Sequence, residues 1–238
     1  MKIYSWNVNG IRAVYRKKAI QEFFEAYNPE VLCVQETKSQ DDQIPPRIMG
    51  MDGYHVFHRA ADKKGYSGVL TMSRVEPIST SVGLGVDEFD HEGRTLILEY
   101  SDFFLFNIYY PNGGRGPERV DFKLRFYDAF LEKAEKMRQD TGKGIVVTGD
   151  FNTAHREIDL ARPKQNVTTS GFLPEERAWL DKFVDTGYID TFRLVKGDVT
   201  DRYSWWDYKT KARERNVGWR IDYFFVSPDM KDRVKEAD

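Results

Sequence analysis

The sequence has a single cysteine in 238 residues, Cys33, set in the apolar run VLCVQ. An internal disulfide is therefore impossible, and a reducing setting is expected. No stretch comes near the roughly 18 consecutive apolar residues that a membrane span needs. MKIYSWNVNG runs straight into a strand-like segment, without the apolar h-region of a secretory leader. A cytoplasmic location is the expectation, or nuclear if the source is eukaryotic. Charge of one sign is also lacking: 36 Lys and Arg against 38 Asp and Glu leave a net charge of −2. That balance does not advertise nucleic acid, although a local basic face suffices to bind it. There is no P-loop, no GxGxxG, no Cys–His pairing at zinc spacing, no internal repeat and no linker. Nucleotide cofactors and zinc are thereby disfavoured, and one compact domain over 1–238 is the economical expectation.

Short apolar or aromatic runs are present in number, separated by turn signals. They predict strands over Ile3–Val8, Val31–Gln35, Val56–His58, Gly68–Ser73, Arg94–Tyr100, Phe103–Tyr109, Ile145–Thr148, Tyr203–Trp206 and Ile221–Val226. Helices are predicted over Lys17–Tyr27, Glu118–Arg138 and Pro174–Gly187. In the second, Val120, Leu124, Tyr127, Phe130, Leu131 and Ala134 recur at helical spacing with charges between them. The mixture implies an α/β to α+β fold with a mixed sheet system.

The strands end alike. The first delivers Asn7 and Asn9, the second Glu36-Thr37-Lys38, and the Phe103 strand Tyr109 and then Asn112 and Arg115. The Ile145 strand delivers Asp150 and Asn152, and the last carries Trp219, Arg220 and Asp222. Any one cluster reads as ordinary turn or capping chemistry. Five in one chain point instead to a site assembled at strand ends. Glu36 and Asp150 are hard oxygen ligands, and Asn7, Asn9 and Asn152 add neutral oxygens. Such donors suit Mg²⁺ or Mn²⁺, which keep several waters and bind substrate phosphate. Tyr109, Asn112, Asn152 and Arg115 add donors for phosphate oxygens. Metal-assisted phosphodiester hydrolysis is the chemistry these residues fit. In Tyr203–Arg220, Trp205, Trp206, Tyr208 and Trp219 mix with Lys209, Lys211, Arg213, Arg215 and Arg220, a combination suited to phosphates beside an unstacked sugar or base.

In order along the chain, LCVQETK, KGYSGV, YYPNGGRG, GDFNTAHREIDL, SGFLPEER and NVGWRIDYFF resemble the exonuclease III family of apurinic/apyrimidinic endonucleases, within the endonuclease/exonuclease/phosphatase superfamily. The resemblance implies a four-layered α/β sandwich, two packed mixed β-sheets flanked by helices. It implies a Mg²⁺-dependent monomeric DNA repair nuclease that cuts duplex DNA 5′ to abasic or damaged sites, with 3′→5′ exonuclease and 3′-phosphodiesterase activity beside it.

Roles follow by resemblance. Glu36 is the principal metal ligand, with Asn7, Asp150 and Asn152 about the metal. Asp150 orients or deprotonates the attacking water. Asn152 and Asn112 bind the scissile phosphate, Tyr109 binds it or assists the leaving oxygen, and Asp222 orients the family's histidine. Arg12, Lys17, Lys38, Tyr66, Arg94, Arg115 and Arg156 contact the DNA backbone. Trp205, Trp219 and Ile221 line a pocket for the flipped-out abasic sugar, and Lys209 sits on a loop at the lesion. Two departures stand out: position 9 is Asn where some relatives carry Asp, and the sequence stops at Asp238 before the Asp-His segment, so a domain lacking its last strand is expected. The competing expectations are a lesion-binding but weakly active truncated form, a superfamily phosphatase, or a non-specific nuclease.

Overall fold

The computed structural model describes all of residues 1–238. They divide into two compact units, Met1–Tyr109 with Val147–Gly149, and Tyr110–Val146 with Asp150–Asp238.

The first unit holds β1 (Ile3–Asn7), α1 (Ile11–Arg16), α2 (Ala19–Tyr27), β2 (Val31–Gln35), α3 (Pro46–Met49), β3 (His55–Arg59), β4 (Val69–Ser73), β5 (Ser79–Val82), α4 (Asp87–Asp90), β6 (Thr95–Glu99) and β7 (Phe103–Tyr109). Its four-stranded sheet has the order β1-β2-β4-β3, with β1 parallel to β2 and the other pairs antiparallel. VLCVQ and VLTMS form the two central strands and are buried at every position, as near-continuous apolar runs should be. Leu32, Val34, Leu70 and Met72 pack on Ile11 and Ile20 of α1 and α2. Alternation sends Gln35 the other way, where its amide donates to Asn107 Oδ1 of β7 (2.8 Å) and to Ser5 Oγ (3.0 Å). Asn107 donates in turn to Leu70 O (2.9 Å) and Thr71 Oγ1 (3.0 Å). A polar clasp thus joins β7 to the first sheet inside an apolar layer.

The second unit contributes α5 (Pro117–Thr141), most of β8 (Gly144–Asp150), α6 (Pro163–Asn166), α7 (Pro174–Asp185), β9 (Ile189–Asp190), α8 (Thr191–Lys196), β10 (Trp205–Trp206), β11 (Gly218–Trp219) and β12 (Asp222–Val226). Helix α5 opens on Pro117, whose missing N–H costs nothing there, and ends at left-handed Gly142. It packs on α7 through stacked rings, Tyr127 on Trp179 at 4.3 Å. In the first unit β5, β6 and β7 pair antiparallel in that order, in the second β12 pairs antiparallel with β9, and β10 and β11 form a separate antiparallel ribbon. Two mixed sheets with flanking helices are the architecture expected from the sequence. No helix is long and apolar enough to cross a membrane.

Several expectations shift. The helix predicted over Lys17–Tyr27 starts two residues later, at Ala19, because Lys18 caps it in a left-handed backbone (φ 61°), and the short helix α1 before it was not foreseen. β5 escapes prediction because STSV is an edge strand exposed at all four positions. In α5 the expected core position Leu124 is only half-buried, while Lys123 is fully buried.

Gly149 marks a close approach: its φ is +139°, and a Cβ built there would lie 1.8 Å from the Ile108 carbonyl oxygen. Gly149→Ala should therefore lower unfolding stability by about 1–3 kcal/mol, the usual cost of overpacking. Urea denaturation reads this as a lower midpoint at unchanged slope.

Candidate functional site

In the first unit the site begins where β1 and β2 end. Glu36 leaves the ladder with a left-handed backbone (φ 54°), as do Lys38 (φ 49°) and Asn9 (φ 46°). Asn7 Nδ2 donates to Glu36 Oε1 (2.9 Å), and Asn7 Oδ1 accepts the Asn9 N–H (3.0 Å). Asn7 thus orients the carboxylate. Lys38 Nζ lies 2.6 Å from Glu36 Oε2 and also donates to Asn9 Oδ1. Burial pushes the Glu36 carboxyl up, but hydrogen bonds from Asn7, Lys38 and Tyr109, with the Lys38 charge, hold it below its ordinary value. Tyr109 is held by Arg94, whose guanidinium lies 4.6 Å from its ring and donates to its carbonyl (2.9 Å).

In the second unit Asp150 is 4% exposed at the end of β8. Its Oδ1 accepts the Asn152 N–H (2.8 Å), a two-residue turn that fixes the carboxylate. Asn152, itself left-handed (φ 53°), donates to Tyr110 O (2.9 Å) and accepts from Asn112 Nδ2 (3.0 Å). Asp150, Asn152 and Asn112 therefore stand together. Asp222 is half-buried at the start of β12, with its amide on Ser204 Oγ (3.1 Å). Trp205 and Trp219 face each other across the ribbon, edge to face at 6.5 Å.

Comparison with known proteins gives the family. The model of the Endonuclease/Exonuclease/phosphatase family matches residues 4–237. The exodeoxyribonuclease of Bacillus subtilis is 42% identical over all of this chain and 92% of its own length. The chain belongs to the endonuclease/exonuclease/phosphatase family. Among solved structures, an AP endonuclease from Archaeoglobus fulgidus is 28% identical with a TM-score of 0.84, covering 98% of this chain and 88% of its own. The 3′ phosphatase NExo from Neisseria, bound to product DNA hairpin, is 28% identical with a TM-score of 0.88 over the same shares. The protein is a hydrolytic DNA repair nuclease of the exodeoxyribonuclease and AP endonuclease kind.

The expected backbone-contacting residues of this nuclease are placed unevenly. Arg12 and Lys17 are exposed, and Arg12, Tyr15, Arg16, Lys38 and Gln43 line an open groove of about 490 Å³. Arg115 and Lys209 are exposed, and Arg156 is paired with Asp198. Arg94 departs from the expectation: it is 3% exposed and spends its guanidinium on Glu92, Tyr66 and Tyr109. It holds Tyr109 in place rather than reaching solvent. Tyr66 is half-buried on Arg94, and Ile221 is buried with Leu160 and Phe172.

Sequence reading missed two buried ionic groups. Lys123 and Glu176 pair at 2.7 Å with no side-chain exposure. Burial lowers the Lys123 pKa against the pull of Glu176 and Asp150. Asp159 accepts from Arg220 Nε (2.8 Å) and from Arg193, while Arg220 also reaches Asp190 (2.7 Å). Neither looks different from surface charge in a sequence.

Burial pushes the Asp159 carboxyl up, but the Arg220 charge, with hydrogen bonds from Arg220, the Arg156 amide and Arg193, holds it below its ordinary value. Its stabilising contribution is full above roughly pH 4, the unfolded carboxylate value, and is lost as pH falls through the lower folded value. Asp159→Asn should cost about 3–5 kcal/mol at neutral pH by stranding buried guanidinium charge. The gap from the parent should narrow in acid, which thermal melts across pH will show.

Proposed function

We propose that this nuclease hydrolyses the phosphodiester 5′ to abasic sites in duplex DNA, as a monomer using Mg²⁺. The family is one of metal-dependent nucleases, and relatives act on DNA. The observation that carries the reading is Glu36: a carboxylate kept ionised by an amide, an ammonium and a phenol around it. The donors fit a hard cation, being oxygens without thiolate or imidazole. No cluster of three or more His, Cys, Asp or Glu suited to a metal occurs, so such a cation would keep much of its water, as Mg²⁺ does. Glu36 would hold it, steadied by Asn7, with Asp150 and Asn152 the further candidate ligands. When bound, it supplies Lewis-acid polarisation of the scissile phosphate.

The chain's own residues divide the remaining work. Asp150 accepts the proton of the attacking water as the water oxygen bonds to phosphorus. The P–O3′ bond breaks, leaving a 3′-hydroxyl upstream and a 5′-phosphate on the abasic residue. The amides of Asn152 and Asn112 hold phosphate oxygens, and Tyr109, fixed by Arg94, offers a phenol to the phosphate or the leaving oxygen. The basic groove at Arg12, Arg16 and Lys38 neutralises backbone phosphates, and Trp205 with Trp219 receives the unstacked sugar.

Glu36→Gln should abolish Mg²⁺-stimulated incision while duplex affinity stays near the parent's, and chelation of the parent should do the same reversibly. Undiminished Mg²⁺-dependent turnover in Glu36→Gln would remove Glu36 from the site. Asp150→Asn should cut turnover by roughly 10²–10⁴-fold, the worth of a positioned base, with abasic DNA bound as well or better. The substrate assignment is checked by incising matched abasic and intact duplexes side by side. Equal rates on both would sink it.

A further inference from the structure

Lys123 and Glu176 form an ion pair with no solvent exposure on either side chain. A buried ion pair gains little stability over an apolar pair of the same volume. What distinguishes this one is where its other hydrogen bonds go. Lys123 Nζ, from α5, donates to the main-chain carbonyl of Asn152 (2.8 Å), the residue held left-handed just beyond β8. Glu176, in the first turn of α7, accepts from Ser170 Oγ (3.0 Å), Gly171 N (2.5 Å) and Leu173 N (3.1 Å). The 170–173 loop is thereby pulled against the Asn152 turn. Gly171 suits the position, with φ +96° and a Cβ there that would crowd Asn152 O (3.1 Å) and the Trp219 ring (3.3 Å). Phe172 meets Trp219 edge to face at 6.3 Å, and Trp219 meets Trp205.

We propose that the Lys123–Glu176 pair is a positioning device of the nuclease reaction, setting the Asn152 turn and the Trp219 wall in one fixed relation. A sugar seated against Trp219 and a phosphate held by Asn152 are then spaced through this buried pair, alongside the Ala154 N–H bond to Gly171 O (2.8 Å). Lesion recognition and phosphate alignment become one geometric property. This rests on the reading that Asn152 binds the scissile phosphate and Trp219 the unstacked sugar.

The decisive variant is Lys123→Met with Glu176→Gln, which leaves no buried charge and keeps volume close to the parent's. It is expected to melt near the parent's Tm. Its kcat on abasic duplex should fall roughly 10- to 100-fold, the scale of a misplaced reacting group. KM should change little, since surface phosphate contacts carry most affinity, and the preference for abasic over intact duplex should shrink. Parental kcat and preference in a well-folded double variant would overturn the proposal. If that variant does not fold, Glu176→Asp decides: it keeps the charge but withdraws it from the loop by one methylene. A lower kcat at parental KM is expected, and a parental kcat would overturn the idea.

Every variant is also read on 3′-end removal from intact duplex, which needs a phosphate at Asn152 but no abasic sugar. A parent that degrades 3′ ends yet leaves abasic sites intact defeats the proposed substrate. The pair is then judged by its effect on 3′-end kcat alone, where a fall supports it and parental rates refute it.

Discussion

Leaving a β-ladder with a functional side chain requires a backbone conformation that ordinary residues resist, and this nuclease adopts it repeatedly. Asn9, Glu36, Lys38 and Asn152 all have φ between 46° and 54°. Each such residue costs on the order of 1–3 kcal/mol. Glycine would relax the strain but carry no carboxylate, amide or ammonium. The surroundings offset the cost through main-chain hydrogen bonds. Gly10 N–H donates to Glu36 O (2.7 Å), Thr37 N–H to Gly68 O (3.0 Å), and Lys38 N–H to Ser67 O (2.8 Å). At Asn152 the same service falls to a side chain, Lys123. The rigidity of the candidate site is thus written mainly in backbone contacts.

Buried cations supply the second level of control. Arg94 and Arg220 both lie over tyrosine rings, Arg94 at 4.6 Å from Tyr109 and Arg220 at 4.4 Å from Tyr223. Arg94 also donates to the carbonyl of Tyr109, while the Tyr223 hydroxyl donates to the carbonyl of Arg220. Each arginine is tied to a tyrosine by one cation–ring contact and one hydrogen bond to a main-chain carbonyl. Carboxylates close the networks, Glu92 beside Arg94 and Asp159 with Asp190 beside Arg220. Charges of this sort suit placement better than stability, because their desolvation consumes most of the attraction.

The fold was legible wherever burial writes itself into a periodic pattern. VLCVQ and FFLFNIY were bounded correctly, since central strands need apolar side chains on both faces. STSV was invisible because an exposed edge strand makes no such demand. The two-residue strands Ile189–Asp190 and Gly218–Trp219 are too short to show any period. The later start of α2 was missed because nothing in the run KKA forbids helix. There a left-handed lysine redirects the chain so that Ile11 and Ile20 enter one core.

The candidate site was legible to a different depth. Glu36, Asp150, Asn152 and Tyr109 stand out because polar residues end apolar strands, an incongruity visible in one dimension. Arg94, expected at the DNA backbone by resemblance, is buried instead, which a family pattern does not reveal. Lys123 illustrates the general difficulty. It sits between apolar Val120 and Tyr127 in a helix full of lysines and acids, and only three dimensions show that its face is the buried one. Glu176 is equally hidden, since a glutamate in a first helical turn is ordinary capping chemistry. Residues that touch substrate must break a pattern, whereas those that hold them in place need only complete one. Supporting groups are therefore the part of a site that sequence conceals and packing reveals.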